Sequence, residues 1–424
     1  MNKWHSESFG DLTINFDSVR IPVKEADRQS GPYPYYGASG VVDYTDNFLF
    51  DGEYLLIAED GENLRTRNTP IAFIVNGKFW VNNHAHIVTG NDNADTRFLL
   101  YALLSLDISS YLTGSTMPKL TQGNLNNISL LVPPLPEQRR IAHILGTLDD
   151  KIENNRKMAK TLEAMAQAIF QSWFVDFDPV RAKMAGESPE SICKRLKLTP
   201  EILDLFPDKL VDSELGEIPE GWVVRSLDNI GNFLNGLALQ KFPSKGQDDA
   251  LPVIKIAQLR SGNLGGADQA SCEIEPQYIV HDGDILFSWS GSLECAIWSG
   301  GTGALNQHLF KVTPKSDYPR WLCYFGVHHF LDFFREIAAG KATTMGHIQR
   351  HHLSDSKLPF PCSGTLDVMN KPLSSMFEVM WMKTVEEQKL VFLRDTLLPK
   401  LISGEIRVLD ERTIENDRAY PWIK

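Results

Sequence analysis

Cysteine is sparse and unpaired in this chain. Cys193, Cys272, Cys295, Cys323 and Cys362 are scattered, odd in number and never spaced as CxxC, which argues against a disulfide framework or a cysteine-rich zinc site. They read as small core residues in a reducing compartment. No stretch approaches the ~18 apolar residues that a membrane-spanning helix needs, and the opening MNKWHSESFGDL lacks the apolar region of a secretory signal. A cytoplasmic protein without a membrane partner is expected. Also missing are a GxxxxGK(S/T) loop, a GxGxxG turn after a strand and an Asn-Pro-Pro-aromatic tetrapeptide, so nucleotide binding and amino-methyl transfer have no visible machinery. Basic charge is scarce too: 42 Lys and Arg stand against 54 Asp and Glu, a net charge of −12. Cations on phosphates supply most non-specific DNA affinity. Any contact with DNA therefore needs local basic patches or a partner that adds the clamp.

What the chain does have is length and repetition. Its 424 residues suggest two or three domains, and 42% hydrophobic with 23% charged residues is ordinary for a soluble protein with real cores. Trp4, Phe9 and Leu12 are echoed by Trp222, Leu227 and Ile230. Asp51-Gly52 before an apolar strand is echoed by Asp282-Gly283, each read as a turn. Asn82, His84 and Val88 match Asn306, His308 and Val312 at one offset of 224 (306 less 82). Thr116-Met117, Leu125 and Pro133 match Thr344-Met345, Leu353 and Pro361 at 228 (344 less 116). The matches keep their order and nearly their offset, the mark of a tandem duplication.

Each copy ends in a long helical pattern. After Pro136 the residues Ile141, Leu145, Leu148, Ile152, Asn155, Ala159, Leu162, Ala166, Ile169 and Trp173 alternate steps of four and three, the seam of a left-handed coiled coil. Asn155 is the polar residue on that seam, a device that fixes register at some cost in stability. A helix from Glu137 to about Val175 would run roughly 60 Å. The second pattern follows Lys371-Pro372. Leu373, Phe377 and Met380 are well placed, Lys383 to Lys389 are mostly polar, and Val391, Leu398 and Leu401 resume before Gly404. Each stripe leaves an apolar face that one helix cannot bury, so the two are expected to pair, antiparallel.

The expected fold is α+β: two mixed α/β recognition domains in a pseudo-twofold tandem repeat, each followed by a long helix, with the helices forming an antiparallel coiled coil. The divisions are 1–134 for the first domain, 135–178 for the central helix and 179–217 for a proline-containing connector. The second domain takes 218–365, the distal helix 366–405 and a polar, fraying tail 406–424. Two related modules on a stiff spacer suit two short half-sites on duplex DNA, and unlike modules imply unlike half-sites.

Five strings carry a resemblance. Leu135-Pro-Glu-Gln-Arg-Arg-Ile-Ala, Leu148-Asp-Asp-Lys-Ile-Glu-Asn-Asn and Phe170-Gln-Ser-Trp-Phe-Val-Asp-Phe-Asp-Pro-Val resemble the central conserved region of type I restriction-modification specificity subunits. Leu393-Arg-Asp-Thr-Leu-Leu-Pro-Lys-Leu-Ile-Ser-Gly-Glu-Ile-Arg-Val resembles the distal region of that family, and Leu215-Gly-Glu-Ile-Pro-Glu-Gly-Trp its second recognition domain. The resemblance implies a subunit without chemistry of its own that binds double-stranded DNA through two recognition domains. It implies two methyltransferase subunits held on the conserved helices and separate restriction subunits, with S-adenosylmethionine, ATP and Mg on those partners. Ile141, Leu145, Leu148, Ile152, Asn155, Leu162, Ile169, Trp173, Phe377, Met380, Leu398 and Leu401 are the seam and partner-binding candidates.

The candidate DNA contacts each have a plainer reading. Asn82, His84, Asn306, Gln307 and His308 are types that read base edges, or they satisfy backbone groups at strand ends. Thr116 and Lys119, with their counterparts Thr344 and His347, form a DNA-facing loop or a turn that docks the domain on its helix. Arg350, beside His347, His351 and His352, belongs to a polar cluster that faces a groove or only solvent. Tyr36, with Tyr33 and Tyr35, stacks beside DNA or packs a loop. Arg65, Lys241 and Arg260 are phosphate candidates by charge alone. No metal site is expected from the His84/His86 or His347/His351 pairs. Asp355-Ser356-Lys357 and Glu387-Gln388-Lys389 fit the acid-x-Lys pattern of nucleases, which is common by chance. The rival reading is a two-lobed protein-interaction scaffold that never reads DNA.

Overall fold

A computed structural model describes residues 4–315, 318–340 and 346–408. The expected fraying of the tail beyond Val408, and the matched Thr344-Met345, lie outside the described residues. The chain divides into two compact units, Met1–Lys151 with Val391–Lys424, and Ile152–Leu390.

The first unit is built on a six-stranded sheet in the order Thr13–Asn15, Ala85–Gly90, Phe50–Ala58, Ala72–Val81, Tyr33–Gly37, Gly40–Thr45. Neighbours are antiparallel except Tyr33–Gly37 and Ala72–Val81, which run parallel. The run Leu55–Ala58 is buried throughout, against the helix Thr96–Ser105 on one side and an aromatic cluster of Phe50, Phe79 and Tyr54 on the other. Such a run marks a strand covered on both faces. Asp51-Gly52 is not a turn: both residues lie inside the strand Phe50–Ala58, with Gly52 opposite Gly77. Both glycines have positive φ, 142° and 83°, so the ribbon bends there without breaking its ladder. Asp282-Gly283 does form the expected turn. Gly283 has φ +94°, and the Asp282 carboxylate accepts the Gly301 amide at 2.8 Å.

The second unit repeats this plan with its sheet divided. Gly231–Asn235, Leu309–Pro314, Ile285–Ser288 and Cys295–Ile297 form one four-stranded sheet; Gln269–Ser271, Ala250–Ile254, Gly303–Leu305 and Ile279–Val280 form the other. The parallel pair recurs as Ala250–Ile254 beside Gly303–Leu305. The short pairing of His5–Ser8 with Ser129–Val132 recurs as Val223–Ser226 with Lys357–Phe360. Phe9 and Leu12, like Leu227 and Ile230, are buried where the repeat placed them.

The central helix spans Leu135–Phe174 and the distal helix Ser363–Ile402. The distal helix begins ahead of Lys371-Pro372, with Pro372 inside it. Proline removes the bond to the carbonyl four residues back, which here belongs to the exposed residue Val368.

The two helices run antiparallel within each unit. In the first, Glu137 takes both nitrogens of Arg407 at 2.8 Å, Asp149 accepts from Arg394 at 2.9 Å, and Ile141 and Leu145 share a buried cluster with Leu401 and Ile402. In the second, Arg156 meets Glu387 at 2.8 Å, while Ala166, Phe170 and Trp173 share a cluster with Leu366, Met369, Leu373 and Phe377. Rising numbers on one helix meet falling numbers on the other. Each fully buried Leu or Phe contributes about 1.5–3 kcal/mol to the seam. The polar stretch Lys383 to Lys389 belongs to the seam because Arg156 covers the buried Glu387 carboxylate and Val385 turns inward. Leu148, Leu162, Ile169 and Leu398 are half-buried, and Ile152, Asn155 and Met380 are buried.

The connector folds into the helices Asp178–Met184, Pro189–Leu196 and Pro200–Leu203, packed through Ala182, Ile192 and Leu203.

Candidate nucleic-acid interface

Each unit carries the same knot of backbone where three segments meet. In the first unit Asn82 donates its amide to the Tyr36 carbonyl at 2.9 Å, and Glu59 donates to His84 at 2.8 Å. Leu120 donates to Glu59 at 2.8 Å and Gly61 to Pro118 at 3.1 Å. In the second unit the corresponding bonds are Asn306 to Ile254 at 3.3 Å, Trp289 to His308 at 3.3 Å, Ile348 to Trp289 at 3.0 Å and Gly291 to Gly346 at 2.9 Å. The isolated bridge Asp60–Lys119 has its counterpart in Ser290–His347.

Side chains repeat the pattern where they serve the frame. The Asn82 carbonyl oxygen accepts the His84 amide at 2.8 Å, and that of Asn306 accepts the His308 amide at 3.2 Å. Both asparagines therefore cap a turn, the plainer of the two readings for their side-chain oxygens. His84 Nδ1 donates to the Asp60 carboxylate at 2.8 Å, and His308 Nδ1 meets the Ser290 hydroxyl at 2.9 Å.

Where the side chains leave the frame the two units part company. In the first, Lys119 Nζ sits 3.1 Å from Glu59, which also takes Arg20 at 2.9 Å. Burial raises the Glu59 carboxyl, but hydrogen bonds from Arg20 and Lys119 outweigh it and leave the group below the ordinary carboxylate range. Arg65 donates to the Gly114 carbonyl at 2.9 Å and so ties down the loop that presents Thr116 and Met117 to solvent. Tyr36 lies on a strand against Phe73 and Phe79, and burial pushes its phenol up. Beneath the frame, buried His86 meets Asp17 through Nδ1 at 2.5 Å and the Leu120 carbonyl through Nε2 at 2.8 Å. His84 and His86 thus serve different partners.

In the second unit the Trp289 ring packs at a tilt on His308 and Phe310 and edge-on to His347, and donates to Asn235 at 2.9 Å and the Gln307 carbonyl at 3.1 Å. Gln307 and His308 meet at 3.3 Å. Arg350 donates to the Phe233 carbonyl at 3.1 Å and lies over the Phe310 ring. A groove of about 250 Å³ lined by Gln240, Lys255, Asp268 and Asn306 opens beside this cluster.

The structure thus gathers Tyr36, Arg65, Asn82, His84, Thr116 and Lys119 in one unit, and Asn306, Gln307, His308, His347 and Arg350 in the other. Lys241 stands next to the groove-lining Gln240, and Arg260 lies apart on the short helix Ile256–Ser261. Thr344 falls outside the described residues. Asp60, Trp289 and Ser290 went unnoticed in the sequence, although each precedes or forms a polar-Gly step directly after a matched strand.

Against known proteins, the family described as "Type I restriction modification DNA specificity domain" matches residues 1–164 and again 219–369. The chain belongs to this family. The specificity-domain match is double, as the tandem repeat requires. Among its relatives, the HindI type I restriction enzyme specificity subunit of Haemophilus influenzae is 25% identical over 96% of this chain and all of that protein. The MjaIX specificity subunit of Methanocaldococcus jannaschii is 25% identical over 84% of this chain and 79% of its own length. A crystal structure of the type I restriction-modification S subunit from M. genitalium superposes with a TM-score of 0.62 at 15% identity, covering 94% of this chain and 96% of that one. That likeness bears on the fold. Among the described residues, no helix is long and apolar enough to cross a membrane.

Proposed function

We propose that this chain is the DNA sequence-specificity subunit of a type I restriction-modification complex, reading an asymmetric bipartite site on double-stranded DNA. One observation carries the reading: the same hydrogen-bonded frame occurs twice, and the side chains standing on it differ. A shared frame needs shared anchors, which Asn82/Asn306 and His84/His308 supply. Unlike half-sites need unlike readers, which Asp60 and Tyr36 provide in one lobe and Gln307 and His347 in the other. Direct readout depends on which donors, acceptors and methyl contacts are offered to base edges.

The chain does no chemistry of its own in this reading. Two methyltransferase subunits bind the paired helices and restriction subunits join them; S-adenosylmethionine, ATP and Mg belong to those partners. The partners also contribute the positive clamp that a chain of net charge −12 lacks. The test is to express the chain with its methyltransferase and map methylated adenines across the genome. A two-part motif with an unread spacer is expected. Methylation by the chain alone would make it an enzyme, and a pattern indifferent to changes in either lobe would make it a scaffold.

A further inference from the structure

We infer that the two lobes divide the work unequally: the second lobe grips DNA phosphates through Arg350 and Lys241, while the first reads its half-site with its cations already neutralised. This rests on the DNA-reading assignment above and adds where the electrostatic affinity resides.

In the first lobe the cations beside the frame are committed to carboxylates. Lys119 and Arg20 share Glu59, and Arg65 lies 3.5 Å from Glu62 while it holds Gly114. Arg28, at the base of the neighbouring hairpin, is taken by Asp43 at 2.9 Å. A phosphate approaching any of these meets a carboxylate beside each cation. At Arg350 and Lys241 the second lobe lacks such compensation. Arg350 is exposed, and its polar contact is a neutral carbonyl; among the described residues no carboxylate pairs with it. Lys241 is exposed, and its side chain forms no ion pair or hydrogen bond among the described residues.

The segments that leave the frame differ in the same sense. After Gly37 the first lobe turns straight back into Gly40–Thr45, presenting Val41, Val42 and Tyr44 at 45%, 58% and 52% exposure. After Ile254 the second lobe continues through Lys255, which Asp268 pairs, into the helix Ile256–Ser261, whose exposed Arg260 has no ion pair among the described residues. One lobe offers apolar surface suited to thymine methyl groups; the other offers charge.

Each phosphate contact lowers the dependence of log K on log salt by about 0.9 when it is lost. Removing one contact should therefore shrink the affinity lost between 50 and 200 mM KCl by about 3.5-fold. The experiment measures binding of a duplex bearing the mapped site to the complex of this chain with its methyltransferase, by fluorescence anisotropy. Arg350→Gln and Lys241→Gln are each expected to flatten the salt slope by about one unit, and Arg350→Lys to restore it. Lys119→Gln should leave the slope where it was, because its partner Glu59 already cancels the charge. Among the described residues the Lys241 side chain makes no internal bond, so its variant leaves the frame's own contacts intact. Unchanged slopes in both second-lobe variants, or an equal flattening by Lys119→Gln, would overturn the inference. Scrambling each half-site in turn tests the DNA-reading assignment separately: indifference to both would sink that assignment whatever the slopes.

Discussion

Replacing Asn155 by Leu should stabilise the protein. Asn155 is 2% exposed on the seam of the central helix, and its side-chain nitrogen has no hydrogen-bond partner. A buried donor left unmade costs about 1–3 kcal/mol. Leucine has the same branched outline, so it fits the space with little overpacking and replaces an unpaired amide with methyl groups. The expected gain is therefore about 1–3 kcal/mol, or a rise in Tm of roughly 2–4 °C per kcal/mol for a unit of this size. Differential scanning calorimetry of the full chain reads it, with Asn154→Leu as the exposed neighbouring control. A fall in Tm on Asn155→Leu, or an equal rise from Asn154→Leu, would refute the reasoning. Stability gained this way should be paired with a loss of register control, since a polar seam residue penalises misaligned pairings.

Four further outcomes follow from the same geometry. Asn306→Ala should cost about 1–2 kcal/mol by leaving the His308 amide without its acceptor, and Asn82→Ala less because Asn82 is only half-buried; calorimetric melting distinguishes them. Gly236→Ala would bring a Cβ to 2.2 Å from the Asn306 carbonyl oxygen, so it should displace the second-lobe frame and abolish recognition of one half-site in methylation maps while sparing the other. For Asp17, burial raises the carboxyl, but the hydrogen bond and charge of His86, the Ile87 amide and Arg20 together hold it below 3.8. A folded value below the unfolded one contributes stability that is full above about pH 4 and lost as pH falls through the folded value. Asp17→Asn should flatten the acid limb of a Tm-against-pH curve below about pH 4. Deleting one heptad from each long helix should change the number of unread base pairs in the mapped motif; an unchanged motif would contradict the idea that helix length sets the spacing.

Much of the fold was legible because its signals are periodic and repeated. The four-three alternation from Ile141 to Trp173 needs no tertiary information, and it reappears as the buried seam of Leu135–Phe174. The matched Asn-x-His pairs mark the same turn in both lobes. What stayed hidden depends on residues far apart in the chain. Asp60 meets His84 and Lys119 only after three segments converge, and Trp289 meets His308 and His347 in the same way. Asp51-Gly52 has the composition of a turn, but Gly77 across the ladder lets the strand continue through it. The apolar seam of the distal helix starts only after Lys371-Pro372, whereas the helix itself starts at Ser363 with Pro372 inside it. The polar run Lys383 to Lys389 looked like a break in the seam, since nothing local announces that Arg156 will cover Glu387.

The central claim is that each lobe reads its own half of one DNA target. Replacing residues 1–134 with the corresponding lobe of another family member, and sequencing adenine methylation in cells that also carry the methyltransferase, tests it most directly. The account predicts a motif in which one half changes and the other half is retained. A motif that stays whole, or one that changes in both halves, would contradict it.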